Sequence, residues 1–277
     1  MASSTSTTLD DLFANIIAQA RFTAEEQSLM LGLVTQYNIA GQAGKTIQVP
    51  KYPAIAAGDL TEGTDMSSTT VSTSSVSVTV GEVGAQVVLT DLAAMGAGNP
   101  ADELGTVLGN AIATKIDTDL IALFDGFSTS IGAAAEEFTA TDLFKAAATL
   151  RANKVTGVIN AVVHPFQAYN MKASLTNTFA NPNGGDLQNE AMRNGYVGTI
   201  AGIDVYESAN VAVDGSDDAV AAVFSPEALA IALKRDFNLE VQRDASLRAN
   251  ELNATAVYGV AELDDSYGVK ITADAAL

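Results

Sequence analysis

Cysteine is absent from this 277-residue chain and histidine occurs once, at position 164. The first absence excludes disulfides, thiolate metal sites and cysteine nucleophiles. The second leaves little room for histidine-based metal sites or triads. Basic residues are scarce: 14 Lys and Arg stand against 33 Asp and Glu, a formal net charge of −19. That balance, with a pI near 4.1, speaks against any large basic groove for nucleic acid. No run approaches the roughly 18 apolar residues of a membrane span; the best candidate, residues 219–233, is broken by Ser225-Pro226-Glu227. The opening MASSTSTTLDD lacks the basic and apolar regions of a secretory signal and points to a cytoplasmic setting. Acidity does not mean disorder here, because hydrophobic residues make up 48% and charged residues only 17%. The length suggests roughly two structural units with a substantial core.

Two short helices are expected first. Leu9, Leu12, Phe13, Ile16 and Ile17 recur at helical spacing behind Thr8, and a Thr23–Glu26 capping box precedes Leu29, Met30 and Leu33. From Gly41 to Gly81 the pattern becomes extended. Ile47 and Val49 alternate with polar neighbours up to Pro50, and Val76, Val78 and Val80 alternate with Ser77 and Thr79. Between them lies a stretch rich in Gly, Ser, Thr, Asp and Glu. The arrangement predicts a long hairpin; an arm of about 15 residues would reach about 50 Å, beyond a compact domain's radius. A loop of that length implies a job, and lying across another subunit is the natural one.

A strand over residues 85–89 leads to the clearest element. Asn99 is placed as a cap, Pro100 at the first helical position, and Leu104, Val107, Leu108, Ala111, Ile112, Ile116, Leu120, Leu123 and Phe124 hold one face until Gly126. Residues 138–232 then read as α/β: a helix after Thr139 and Asp142, a strand over 158–163, a helix from Pro165 with Phe166, Tyr169 and Met171, and strands at 203–206 and 219–224. A Gly/Asn-rich loop covers Asn181 to Gly185. Residues 226–233 fit a short helix or a strand. Extended character returns with Phe237, Leu239 and Val241, then Ala254 and Ala256.

No motif carries chemistry. Gly41-Gln42-Ala43-Gly44-Lys45-Thr46 imitates the end of a phosphate-binding loop, but Ile39 stands where the first glycine belongs and a strand follows instead of a helix. It reads as the turn that opens the hairpin. His164 reads as a hydrogen bonder at a strand end. Asp214 to Asp218 lack calcium-loop spacing and read as a solvated turn. The pairs Asp264/Asp265 and Asp117/Asp119 read as surface carboxylates. Charge distribution says more. No Lys or Arg occurs between Lys51 and Lys115, so the hairpin tip carries only Asp59, Glu62 and Asp65. Basic residues return at Lys234, Arg235, Arg243 and Arg248. An acidic arm and a distant basic group suggest a heterologous contact between identical copies, of the kind that builds rings or shells. The plainer alternative is two solvated faces.

This order of parts resembles the HK97-fold major capsid proteins of tailed phages. The matching stretches are GKTIQVPKYPAIAAGDLTEG for the extended loop, VVLTDLAAMGAGNPADELGTVLGNAIATKIDTDLIALFDGF for a strand and spine helix, INAVVHPFQAYNMKASL and GTIAGIDVYESANV for the axial domain, and SPEALAIALKRDFNLEVQRDASLRANELN for the peripheral return. The resemblance implies an α+β fold with an N-terminal arm (1–44), an extended β-hairpin loop (45–81), a peripheral-domain strand and spine helix (82–127), an α/β axial domain (128–232) and peripheral return strands (233–277). It implies a non-enzymatic, virion-borne shell of hexamers and pentamers, assembled in the bacterial cytoplasm around double-stranded DNA without sequence-specific binding. It implies neither a cofactor nor a metal nor a membrane. Asp59, Glu62 and Asp65 would meet Lys234, Arg235, Arg243 and Arg248 of a neighbour, and residues 244–253 would lie near threefold contacts. Lys45 and Lys51 sit only at the loop's base, so assembly without covalent cross-links is expected. The short segment before the loop points to a separate scaffolding protein, alongside a portal and a possible decoration protein. Net acidity would repel packaged phosphate over about 8 Å. An encapsulin-like nanocompartment shell is the alternative on the same fold.

Overall fold

The computed structural model describes residues 28–53, 55–63, 65–66, 68, 70–92, 100–178 and 196–276. The helix expected from Thr8, the Thr23–Glu26 box, the Asn99 cap and the Asn181–Gly185 loop lie outside these residues. Of the second expected helix, the described part is one 3-10 turn, Met30–Gly32. The β-branched pair Val34-Thr35 then turns the chain into β1 (Thr35–Asn38).

The hairpin is formed by β2 (Thr46–Lys51) and β3 (Ser74–Thr79), antiparallel, with Thr46 opposite Thr79 and Lys51 opposite Ser74. β4 (Gly81–Thr90) follows, with alternate residues turned inward. Helix α1 (Pro100–Ile121) is about 33 Å long and closes in a 3-10 turn, Ala122–Gly126. Its buried ridge is Leu108, Ile112, Ile116 and Leu120; Val107 and Ala111, expected on the same face, lie beside the ridge and are exposed.

Next come β5 (Ser130–Ile131), α2 (Ala140–Ala152), β6 (Ile159–Val163) and α3 (Pro165–Thr178). The Asp142 carboxylate accepts from Thr139 N at 3.1 Å and Thr139 Oγ at 2.8 Å, which starts α2 where Thr139 and Asp142 predicted. On α3, Met171 is buried, whereas Phe166 and Tyr169 face outward. Then follow β7 (Tyr196–Ile200), β8 (Ile203–Glu207), β9 (Asp218–Phe224), β10 (Leu229–Asp244), β11 (Ala249–Glu262) and β12 (Gly268–Asp274).

Two main sheets result. The peripheral one has order β1-β10-β11-β4, and the six-stranded axial one has order β5-β12-β9-β6-β8-β7. The ambiguous segment after Pro226 is a strand because β1 and β11 flank Ala230, Ile231 and Ala232 on both sides. β12 departs from the expected grouping of residues 233–277: it leaves the peripheral return and pairs along its length with β9 in the axial sheet. The expected boundary at residues 232 and 233 also falls inside one continuous strand, β10.

The two units share a core. One face of the axial sheet (Val162, Ala222, Phe224) packs with α1 and with Leu239, Leu252, Ala254 and Ala256 of the peripheral sheet. Phe124 and Phe224 meet across this seam with ring centroids 5.5 Å apart. The other axial face is covered by α2 and α3 around Leu143, Leu150, Val163, Met171, Ile203 and Val205. Among the described residues, no helix is long and apolar enough to cross a membrane.

Candidate functional site

The hairpin root is tied down at several points. Val78 and Val80 are buried against Ile39 and Ala232, with Ile47, Val49 and Val257 around them. Val80 N donates to Lys45 O at 2.8 Å, and the Thr46 and Thr79 hydroxyls lie 3.2 Å apart. Where the root crosses β11, Gly259 is required: a Cβ there would overlap the Thr79 carbonyl oxygen. Lys51 Nζ reaches Asp264 at 2.7 Å from the other side, and Lys234 Nζ donates to Gly44 O in the opening turn. Gly44 takes φ +101°, so the phosphate-loop look-alike is a turn held by a lysine. A cleft of about 400 Å³ lies between root and body, lined by Tyr37, Val49, Val76, Leu263 and Tyr267 among others.

Beyond Lys51 and Ser74 the ladder stops. Every described residue from 52 to 73 is exposed, including Asp59, Glu62 and Asp65. The basic residues expected to face them are spread along the peripheral sheet. Arg235 and Arg243 are eight positions apart on β10, about 26 Å. Each has an acceptor within its own chain. Arg235 Nη2 donates to Glu82 Oε1 at 2.7 Å and to Thr255 Oγ1 at 3.0 Å. Arg243 grips Asp91 with both terminal nitrogens at 2.6 Å, and this fork holds the Asp91 carboxyl below its ordinary value. Arg248 sits in the turn joining β10 to β11, where its carbonyl accepts from Asp91 N at 2.9 Å.

The carboxylates read as surface groups include structural anchors. Asp117 of α1 is 1% exposed. It accepts from Ser28 Oγ at 2.8 Å and from the backbone N–H groups of Leu29 and Met30, both at 3.1 Å. Burial raises its pKa, and these donors with the Asn210 side chain oppose the rise. Asp119 accepts from the Tyr258 hydroxyl at 2.8 Å, which together with burial pushes the phenol upward. The two acids, two positions apart, thus fasten the helix to the segment before β1 and to β11. Asp265 accepts from both the backbone N–H and the hydroxyl of Ser128, and Asp264 from Lys51. Asp119 also pairs with Lys115 one turn earlier at 2.6 Å, but the partners that anchor the two acids are 87 to 139 residues away, so nothing in a sequence window around them reveals that role.

His164 ends β6 as expected. Its Nδ1 accepts from Phe166 N at 3.3 Å, its backbone N–H donates to Gln167 Oε1 at 3.2 Å, and burial lowers its pKa, in keeping with a neutral ring. Gln167 in turn donates to the carbonyls of Ala219 and Ala273, locking α3 onto β9 and β12. Asp214 accepts from the N–H groups of Ser216 and Asp218, the closed turn its sequence suggested.

A root-anchored hairpin, a spine helix under a peripheral sheet and an adjoining six-stranded axial sheet define the HK97-like class of shell proteins. The capsid chain of the cyanophage P-SCSP1u is similar, with TM-score 0.71 and 17% identity over 89% of this chain and 88% of that one. So is the chain from Mycobacterium phage Che8, with TM-score 0.65 and 20% identity over 82% and 84%. The virus-like particle from Pyrococcus furiosus shares the fold at TM-score 0.63 and 8% identity, over 94% and 98%. No curated protein matches. The profile of the phage capsid protein family matches residues 73–271, well over half of the chain. This chain belongs to that family and is a phage capsid protein.

Proposed function

We propose that the chain builds the icosahedral head of a double-stranded DNA phage, as hexamers and pentamers held by non-covalent contacts. The observation that carries this reading is the hairpin: a root fixed by buried valines, Gly259 and Lys51, bearing a loop whose described residues between 52 and 73 are all exposed. Such an arm is complete only on a neighbour. Asp59, Glu62 and Asp65 steer it toward a neighbouring copy's Lys234, Arg235, Arg243 and Arg248, since complementary charge governs encounter rate more than affinity. The net charge of −19 keeps DNA from adhering to the shell. In this reading the shell protein does no catalysis, works with a portal and a scaffolding partner, and assembles in the host cytoplasm before residing in the virion.

The test is electron microscopy of the purified protein, expressed alone and with its neighbouring genes. Uniform polyhedral shells that protect DNA from nuclease are expected; shells filled with cargo protein would transfer the reading to a nanocompartment. Denaturing gels of mature particles should show one band near 28.5 kDa, and a ladder of multimers would refute non-covalent assembly.

A further inference from the structure

Among the described residues the chain passes between the peripheral and axial units three times: over residues 126–129 after the spine helix, 225–228 between β9 and β10, and 263–267 between β11 and β12. The last passage includes the 3-10 turn Asp265–Tyr267. Backbone bonds tie the second passage to the third, Ser225 N to Tyr267 O at 3.0 Å and Leu263 N to Ala228 O at 2.7 Å. Two contacts tie the first to the third. The Phe127 ring packs on Gly268, where a Cβ would overlap it. Asp265 accepts from Ser128 N at 2.7 Å and from the Ser128 hydroxyl.

That carboxylate has a second acid beside it. Glu262, the last residue of β11, is half-buried, and its Oε2 lies 2.9 Å from where a Cβ of residue 126 would stand. Its carboxyl is hydrogen-bonded to that of Asp265. Two ionised carboxylates cannot bond to each other, so the contact needs one proton between them. Asp265, already accepting twice from Ser128, is the acceptor. The charges around the pair are Asp264 on the same turn, Lys51 of the hairpin root 2.7 Å from Asp264, and Glu227 of the second passage on the same cleft. Asp125, at the end of the spine helix, is paired with Lys270 of β12 at 2.9 Å, and Tyr37 and Tyr267 line the cleft. Burial, then the charges of Asp265 and Asp264, raise the Glu262 pKa, and Lys51 opposes the rise.

We infer that the proton shared by Glu262 and Asp265 is a latch on the seam between the two units, and that Lys51 makes its hold depend on where the hairpin root sits. With the proton in place, Glu262 donates to Asp265 and Asp265 keeps Ser128. Without it, Glu262, Asp264 and Asp265 are three adjacent carboxylates facing one lysine, and the Ser128 contact gives way. A root that moves off takes Lys51 from Asp264, and the uncompensated charge then holds the proton to higher pH. The latch lies within a single chain and stands whether or not that chain builds a shell.

A group whose folded-state pKa is raised stabilises fully below its free value and loses that contribution as pH rises through the raised one. The experiment is hydrogen exchange at the Ser128 amide of the full chain over a series of pH values, each rate divided by the intrinsic rate, with the α3 amides as reference. Wild-type protection should fall as pH rises, by about tenfold for each unit by which closing the latch raises the Glu262 pKa. Glu262→Gln donates to Asp265 without titrating, so its protection should stay high at every pH. Lys51→Ala should move the fall to higher pH, and about 1 M NaCl should shrink that displacement. If Glu262→Gln does not fold, Asp265→Asn replaces it: its amide accepts from Ser128 and donates to an ionised Glu262, so protection should again not change with pH. Wild-type protection that does not change with pH, or a Glu262→Gln protein that loses protection as wild type does, overturns the latch. A Lys51→Ala protein that loses protection at the wild-type pH overturns its coupling to the hairpin.

Discussion

Replacing Asp117 separates a structural anchor from a surface acid. In Asp117→Ala, Ser28 Oγ–H and the N–H groups of Leu29 and Met30 lose their acceptor in a buried setting. A buried donor left unpaired costs about 1–3 kcal/mol, and one of the three can turn to another acceptor, so the expected loss is about 3 kcal/mol. For a chain of this size that is a fall of about 6–12 °C in Tm. Asp117→Asn keeps one carbonyl acceptor and removes the cost of burying a charge, so its loss should be about 1 kcal/mol. Hydrogen exchange gives the local readout: the Leu29 and Met30 amides should exchange at least tenfold faster in Asp117→Ala. The pH dependence has a definite sign. Burial raises this carboxyl's folded-state pKa above its unfolded value. Its stabilising contribution is therefore full below the unfolded pKa and is lost as pH rises through the folded one. Wild type should gain on Asp117→Asn as the solution is acidified into that window. An Asp117→Ala protein with unchanged Tm and unchanged exchange at Leu29 and Met30 would refute the anchoring role.

The remaining predictions address the hairpin and the peripheral tip. Gly259→Val should place a side chain against the Thr79 backbone and loosen the root, so that limited proteolysis within residues 52–73 becomes several-fold faster while α1 and the axial sheet stay protected. Lys51→Ala should do the same more mildly, at about 0–1 kcal/mol for a partly exposed pair. The Arg243 fork depresses the Asp91 pKa, so its contribution is present above the unfolded carboxylate value and fades as pH falls through the folded one. In acid, the protection of the Asp91 amide relative to its intrinsic exchange rate should fall, and in Arg243→Gln that protection should be low at every pH. Reversing Asp59, Glu62 and Asp65 to Lys should impair assembly with monomer circular dichroism unchanged, because like charges then meet Lys234, Arg235 and Arg243; normal particles would exclude electrostatic steering at the tip.

Local patterns were sufficient for those elements whose signals are local. The Val76-Val78-Val80 alternation marked the hairpin strand, Pro100 marked the start of the spine helix, and Thr139 with Asp142 marked α2, because each depends on residues within one turn or one pleat. The cation-free stretch from 52 to 114, the lone histidine and the absent cysteines likewise limited the chemistry available before any fold was known. Tertiary structure decided what depends on partners far along the chain. β12 joins the axial sheet because β9, some 50 residues earlier, offers a complementary edge. Asp117 is an anchor because the backbone of residues 29 and 30 arrives beside it. Arg235 and Arg243, close in sequence, are held about 26 Å apart by an extended strand and engaged by Glu82 and Asp91. Sequence spacing measures distance along the backbone, whereas pairing, burial and charge compensation are settled here by contacts between residues about 45 to 153 positions apart.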